Sequence, residues 1–330
     1  MKISHVLWVE LMIGMSFAHS SQTKPQHEEG RSGSKMIRRR TTGHKLSILP
    51  TIIGEISGPL DHLPPSCDNA AKGEEIPKRI IQTVATKDTL NDSDWFKFHT
   101  SLQEQNLNYT FHIFDDNESL QFIDEHFNNT TLPDVIRSVP RPVMKADLFR
   151  LAAVSVLGGF YMDMDMLAKG SFDPIVYSGC GAVFPKEWWR DDDAFFDRHF
   201  KLPLDSEDHW QVGNYAFAAV PKHPLLIDSL EEAIKRSAEL IHSKGEKVDD
   251  VTDLDVLRTT GPYMLSEVYH DGRKEGKYKD VLHISGDKSR PLKKGQEHRF
   301  SWHKFGPYAE HMLSHTWVQA EEEMKSDTEL

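Results

Sequence analysis

The chain has 330 residues and a formal net charge of −12, from 39 Lys+Arg against 51 Asp+Glu. Hydrophobic residues make up 38% and charged residues 27%, enough apolar material for an ordinary core, so global disorder is excluded. The acidic balance argues against nucleic acid as a partner. Two cysteines, Cys67 and Cys180, are too few for a disulfide scaffold or a four-cysteine zinc site, and no apolar run reaches the ~20 residues of a membrane span.

In chain order, residues 1–20 read as a secretory signal peptide or a poor signal anchor. Lys2 precedes an apolar stretch that Glu10 interrupts, and Ser16-Phe17-Ala18 or Ala18-His19-Ser20 suits cleavage. Glu10 leaves membrane association open. Residues 21–75 read as a disordered stem, with Pro25, Pro59, Pro64, Pro65 and the solvated run Arg38-Arg39-Arg40. Asn-x-Ser/Thr triplets occur at Asn91, Asn108, Asn117, Asn128 and Asn129, all in one short region. On the secretory route some of these carry glycans. On that route Cys67 and Cys180 are also free to pair; the alternative is two separate buried thiols.

From residue 76 the pattern becomes that of a folded domain, running to 320 and followed by an acidic tail at 321–330. Residues 76–84 are β-branched and read as a first strand, and 107–114 as a second that ends at the turn Asp115-Asp116-Asn117. Residues 120–127 predict a helix. Residues 142–157 predict a longer one, with Pro142 suited to its first turn and Gly158 to its stop. Residues 225–241 predict an amphipathic surface helix. Strands alternating with helices imply an α/β fold with a largely parallel sheet.

The segment 144–173 carries the chemistry. Helical spacing puts Asp147 and Arg150 on neighbouring turns of one face, while Leu148, Leu151, Ala152 and Val156 turn to the sheet. Gly158-Gly159 then breaks the helix. Phe160-Tyr161-Met162-Asp163-Met164-Asp165-Met166 alternates, so a strand would point Tyr161, Asp163 and Asp165 one way and the apolar residues the other. Two such carboxylates repel each other unless a cation lies between them, and a hard divalent ion with open positions for phosphate oxygens is the natural partner. Asp-x-Asp alone says little. It recurs at Asp92/Asp94, Asp191/Asp193 and Asp253/Asp255, which read as loop or surface charges. The tail histidines His298, His303, His311 and His315 fit no established zinc spacing. Trp188-Trp189 reads equally as an acceptor-binding loop or as a loop with one packed Trp.

Lys145-Ala146-Asp147-Leu148-Phe149-Arg150, through Gly158-Gly159 to Asp163-Met164-Asp165, resembles the signature of the Asp-x-Asp sugar-transferase family, glycosyltransferase family 32-like. Its members include yeast-type initiating α-1,6-mannosyltransferases, lipid-directed α-1,4-galactosyl- and N-acetylglucosaminyltransferases and the glucosylating domains of large clostridial toxins. Ile76-Pro77-Lys78-Arg79-Ile80-Ile81-Gln82-Thr83, Asn214 with His223-Pro224, Thr260-Gly261-Pro262 and His315-Thr316-Trp317 resemble the family's flanking blocks. Val84 stands where the family often has Trp, and the usual Ser-Trp after the late His-x-Trp is missing.

The resemblance implies a GT-A, Rossmann-like catalytic domain that uses Mn²⁺ or Mg²⁺ and a UDP- or GDP-sugar. It implies Asp165, with Asp163 and His315, at the metal, and His311 as a rival to His315. Asp147, Arg150 and Asn214 would meet the donor sugar. Gln82, Thr83, Tyr161, Gly261 and Trp317 would line the substrate site. The implied reaction moves a hexose or N-acetylhexosamine, with retention, to a glycan or glycolipid acceptor in the secretory pathway, in the Golgi lumen. The alternative is a catalytically silent sugar-nucleotide or glycan-binding relative.

Overall fold

The computed structural model describes residues 67, 74–91, 93–187, 210–284 and 304–312. The leader, nearly all of the stem, Trp188-Trp189, His298, His303, His315, Trp317 and the acidic tail lie outside the described residues. The strands are β1 (Arg79–Thr83), β2 (Thr110–Phe114), β3 (Gly159–Met162), β4 (Met166–Ala168), β5 (Ala182–Glu187), β6 (Gln211–Val212), β7 (Ala216–Ala219), β8 (Val281–Ile284), β9 (Lys304–Phe305) and β10 (Ala309–His311). The α-helices are α1 (Ser93–Gln105), α2 (Asp116–Phe127), α3 (Leu132–Ser138), α4 (Pro142–Leu157), α5 (Asp173–Val176), α6 (Pro224–Lys244), α7 (Asp253–Thr259) and α8 (Pro262–Lys274).

The expected α/β class holds, but the sheet is mixed rather than largely parallel. β2, β1 and β3 run parallel; β3 then pairs antiparallel with β7, and β7 antiparallel with β5. β5 also takes β6 antiparallel and β8 parallel. Parallel neighbours need a crossover, which α1 supplies between β1 and β2; β7 reaches β3 only after β4, α5, β5 and β6 and pairs with it antiparallel. Successive strand residues feed opposite cores. Ile81 and Tyr161 face the layer of α4 and α6, while Ile80 and Phe160 face the layer holding Met166, Phe172 and Phe305.

Two helix starts have local causes. α2 begins at Asp116, ahead of the expected 120, because the Asp115 side chain accepts from Glu118 N–H (2.9 Å) while the Glu118 side chain accepts from Asp115 N–H (3.2 Å). α4 spans 142–157 as expected, opening on Pro142. It is buried on nearly every side rather than along one stripe: Met144, Leu148, Phe149, Leu151, Ala152, Ala153 and Val154 are all buried, because α6 covers the face turned away from the sheet. The 225–241 helix is thus longer, as α6, and structural, with Leu225, Leu226, Leu230 and Ala233 buried.

Gly158 and Gly159 form a stop that other residues would block. Both have positive φ (62° and 102°), and a Cβ on Gly159 would lie 2.6 Å from the Arg79 carbonyl. The chain therefore drops from α4 straight against β1, which delivers β3 to the sheet. The continuous strand expected through Met166 is instead two strands. Asp163 N–H donates to the Tyr215 carbonyl (2.8 Å) and Met166 N–H to the Asp163 carbonyl (3.1 Å), so residues 163–165 turn from the main sheet into the antiparallel sheet β4-β10-β9. Cys67 and Cys180 are joined in a disulfide, Cα atoms 5.3 Å apart, which ties the segment before β1 to the loop before β5.

Candidate functional site

The site lies where β3 ends, and its inner half is a buried charge network on α4. Asp147 and Arg150 are one turn apart (Arg150 Nη2 to Asp147 Oδ1 3.4 Å) with side chains 4% and 7% exposed. Burying two charges is costly unless every polar atom finds a partner. Here they do. Asp147 accepts from Asn214 Nδ2 (2.9 Å) and from Thr260 Oγ1 (2.9 Å). Arg150 donates Nη1 to the Asn214 carbonyl (2.7 Å) and holds Asp163 through Nη2 (3.3 Å). Its guanidinium also stands 4.7 Å over the Tyr161 ring centre.

Tyr161 extends the network to β1. Its hydroxyl donates to Asp163 Oδ1 (2.8 Å), so the Thr83 hydroxyl, 3.1 Å away, is left to donate to it. Burial pushes the Asp147 carboxyl up to about 6, with Arg150 opposing the rise. Burial and the neighbouring Asp165 also push Asp163 upward against Arg150, although a quarter of its side chain remains open. Burial alone would lower Arg150, but Asp163, Tyr161 and Asp147 around it keep it charged.

The outer half is the turn 163–165 facing β10. Register across the β4–β10 pair sets His311 opposite Met166. His311 Nε2 lies 3.1 Å from Asp165 Oδ1. Asp163, Asp165 and His311 each offer one ligand atom, and these atoms lie within 4.8 Å of one another. Two carboxylates and one imidazole fit a divalent cation that keeps open positions. The cation would also relieve the crowding of Asp163 by Asp165. Tyr215 links the ligands: its carbonyl accepts from Asp163 N–H (2.8 Å), and its ring stacks on His311 at 4.6 Å and 12°.

The structure thus brings Asp147, Arg150, Asp163, Asp165, Tyr161, Thr83 and Asn214 together. Gln82 alternates to the other face of β1, where its Oε1 lies 2.7 Å from His99 Nδ1. Gly261 caps α8 and contributes backbone only; a Cβ there would lie 2.9 Å from Leu257 Cα, so it sets how closely Thr260 approaches Asp147. His315 and Trp317 lie outside the described residues, and His311 is the histidine at the described site. Thr260 and Tyr215 are the partners that sequence reasoning passed over. Each adjoins a residue it did select, in Thr260-Gly261-Pro262 and Asn214-Tyr215.

Residues 92–180 match the family described as a glycosyltransferase sugar-binding region containing a DXD motif. The chain is related to named yeast mannosyltransferases. It is 25% identical over 202 residues to a mannosyl phosphorylinositol ceramide synthase of Saccharomyces cerevisiae, covering 61% of this chain and 44% of that one. It is 30% identical over 213 residues to the initiation-specific α-1,6-mannosyltransferase of Schizosaccharomyces pombe, covering 60% and 48%. The chain thus spans less than half the length of these relatives. Among solved structures, the PaToxG glycosyltransferase overlaps 62% of this chain and 73% of its own at TM-score 0.41 and 18% identity. At that TM-score the overlap adds nothing to the fold described above.

Proposed function

We propose that the chain is a metal-dependent, retaining GT-A glycosyltransferase that moves a hexose or N-acetylhexosamine from a UDP- or GDP-sugar to a glycan or glycolipid acceptor. The observation that carries this reading is the convergence of Asp163, Asp165 and His311 beside the Asp147–Arg150–Asn214 network. The relatives named for mannosyl transfer, one of them a mannosyl phosphorylinositol ceramide synthase, favour a mannose donor and a glycolipid acceptor as the first to try.

Asp163, Asp165 and His311 would hold Mn²⁺ or Mg²⁺. When bound, such an ion offsets the charge that collects on a departing diphosphate. The protein's own part is orientation. Arg150 keeps Asp147 and Asp163 at a set spacing, and Asp147, held by Asn214 and Thr260, fixes the wall against which the donor sugar would lie. Carboxylates held near the anomeric carbon favour the positive charge that develops there. The disulfide Cys67–Cys180 supports a lumenal compartment, because such bonds persist in oxidising surroundings; the proposed location is the Golgi lumen. No helix of the described residues is long and apolar enough to cross a membrane. The proposed domain plan remains a leader at 1–20, a stem at 21–75, the catalytic domain at 76–320 and a tail at 321–330.

The test offers the purified chain each UDP- and GDP-sugar with Mn²⁺ and records nucleoside diphosphate release, beside a chelated control. Release with one donor, abolished by chelation, is the expected result. Absence of both release and donor binding with every sugar would overturn the reading.

A further inference from the structure

Among the described residues the main sheet ends at β2. β2 pairs with β1 on one side, and among the described residues no strand lies on the other. Its sequence is Thr-Phe-His-Ile-Phe, with no lysine, no proline and no formal charge. An edge of this kind is a template for pairing with another chain unless something blunts it. Beside it an open groove of about 410 Å³ is lined by Phe111, Ile113, Phe114 and Phe122, with Glu118 and Glu125 also in its lining. Leu107, just ahead of the strand, is 84% exposed.

The same stretch holds the asparagine triplets. Asn108 lies two residues before β2, Asn117 in the first turn of α2, and Asn128 and Asn129 directly after that helix. All four are exposed. Such triplets arise by chance roughly once or twice in a chain of this length, and here the exposed ones cluster on the one unit that borders the β2 edge. Asn108 also lies at the far end of the sheet from Asp163, because β2, β1 and β3 run parallel and Asp163 follows the last residue of β3. A glycan there leaves the site open.

We propose that Asn108, Asn117 and one of the adjacent pair Asn128/Asn129 are N-glycosylated, and that these glycans screen the β2 edge against association with a second copy. The co-substrate is a lipid-diphosphate-linked oligosaccharide. The asparagine amide nitrogen forms a bond to the sugar's anomeric carbon and gives up a proton. The bond from that carbon to the phosphate oxygen breaks, and the lipid diphosphate leaves. The inference rests on the lumenal placement proposed above.

The test expresses the full chain in a eukaryotic secretory host in two forms, with its own N-terminus and behind a cleaved signal that forces entry. Enzymatic glycan release in ¹⁸O-water, followed by peptide mapping, reads the occupied asparagines. Occupancy in the forced form alone upholds the sites and overturns the native lumenal placement. Bare asparagines in the forced form overturn the proposal. The folded, glycosylated protein is then deglycosylated under native conditions, which bypasses any folding defect of an Asn→Gln variant, and followed by light scattering. The stripped chain should associate, while His112→Lys, which places a charge on the edge strand, should stay monomeric after the same treatment. A stripped wild-type chain that remains monomeric overturns the screening role.

Discussion

The two halves of the site are built on opposite plans. Around Asp147 and Arg150 each charge is buried and met by the fold's own partners: Asn214, Thr260 and Asp163. Around the turn 163–165 two carboxylates crowd together, with Arg150 on Asp163 and the His311 imidazole on Asp165. The inner half is complete without a ligand, whereas the outer half gathers two carboxylates and an imidazole whose ligand atoms lie within 4.8 Å of one another. Damage to the first should therefore appear as lost stability, and damage to the second as lost ligand binding with the fold intact.

The sharpest test of that division is Asp165→Asn. It removes one ligand charge from the outer half, so Mn²⁺ binding should vanish and nucleoside diphosphate release should fall about a thousandfold, a few kcal/mol of lost charge stabilisation. Titration calorimetry and turnover read the loss, while the thermal transition of the metal-free protein should stay or rise. A large drop in that transition would break the comparison. Next is Arg150→Met, which strands Asp147 and Asp163. Urea unfolding of the metal-free chain should show a loss of about 3–5 kcal/mol, the usual effect of removing one partner of a buried pair. Adding Asp147→Asn should restore part of it.

Tyr215 tests the outer half from behind. Its ring holds the plane of His311, and its carbonyl holds Asp163. Tyr215→Leu should weaken Mn²⁺ binding by roughly 10–100-fold, as lost outer-shell partners commonly do. Tyr215→Phe keeps the stack and loses the hydroxyl bond to the Lys304 carbonyl (3.3 Å), so its affinity should stay near wild type. Equal weakening by both variants would assign the effect to the hydroxyl and discard the stacking account.

The helix pair Asp147–Arg150 and the Asp-x-Asp turn were legible in the sequence, while the long-range partners of both halves were only partly so, for a physical reason. Asp147, Arg150, the Gly158-Gly159 stop and Asp163-Met164-Asp165 lie within 19 residues, so helical spacing and turn chemistry suffice to bring them together. His311 reaches Asp165 through the antiparallel register of β4 and β10, which no local period encodes. The alternation Phe160, Met162, Met164, Met166 misled because it reports burial and not pairing. Met164 is buried within the turn, so the apolar pattern runs on after the ladder has stopped. Thr260 escaped for a related reason: its partner Asp147 lies 113 residues away, and only the packed fold shows why a hydroxyl stands beside Gly261.

That hydroxyl supplies the smallest and most specific test. Asp147 titrates near 6 in the folded protein, above the ordinary value of about 3.9. A raised carboxyl makes the folded state hold a proton that the unfolded chain releases. Its contribution to stability is thus fully present below about pH 4 and is lost as pH climbs through about 6. With metal chelated, wild-type stability should fall over that window relative to Asp147→Asn, by an amount on the order of 2–3 kcal/mol. Thr260→Val keeps the side chain's shape but withdraws a donor that favours the ionised form. It should push Asp147 further up and move the fall toward higher pH by roughly one unit. A fall that stays in place would mean that Asn214 and Arg150 alone hold the Asp147 charge, and that the inner half needs fewer partners than its geometry displays.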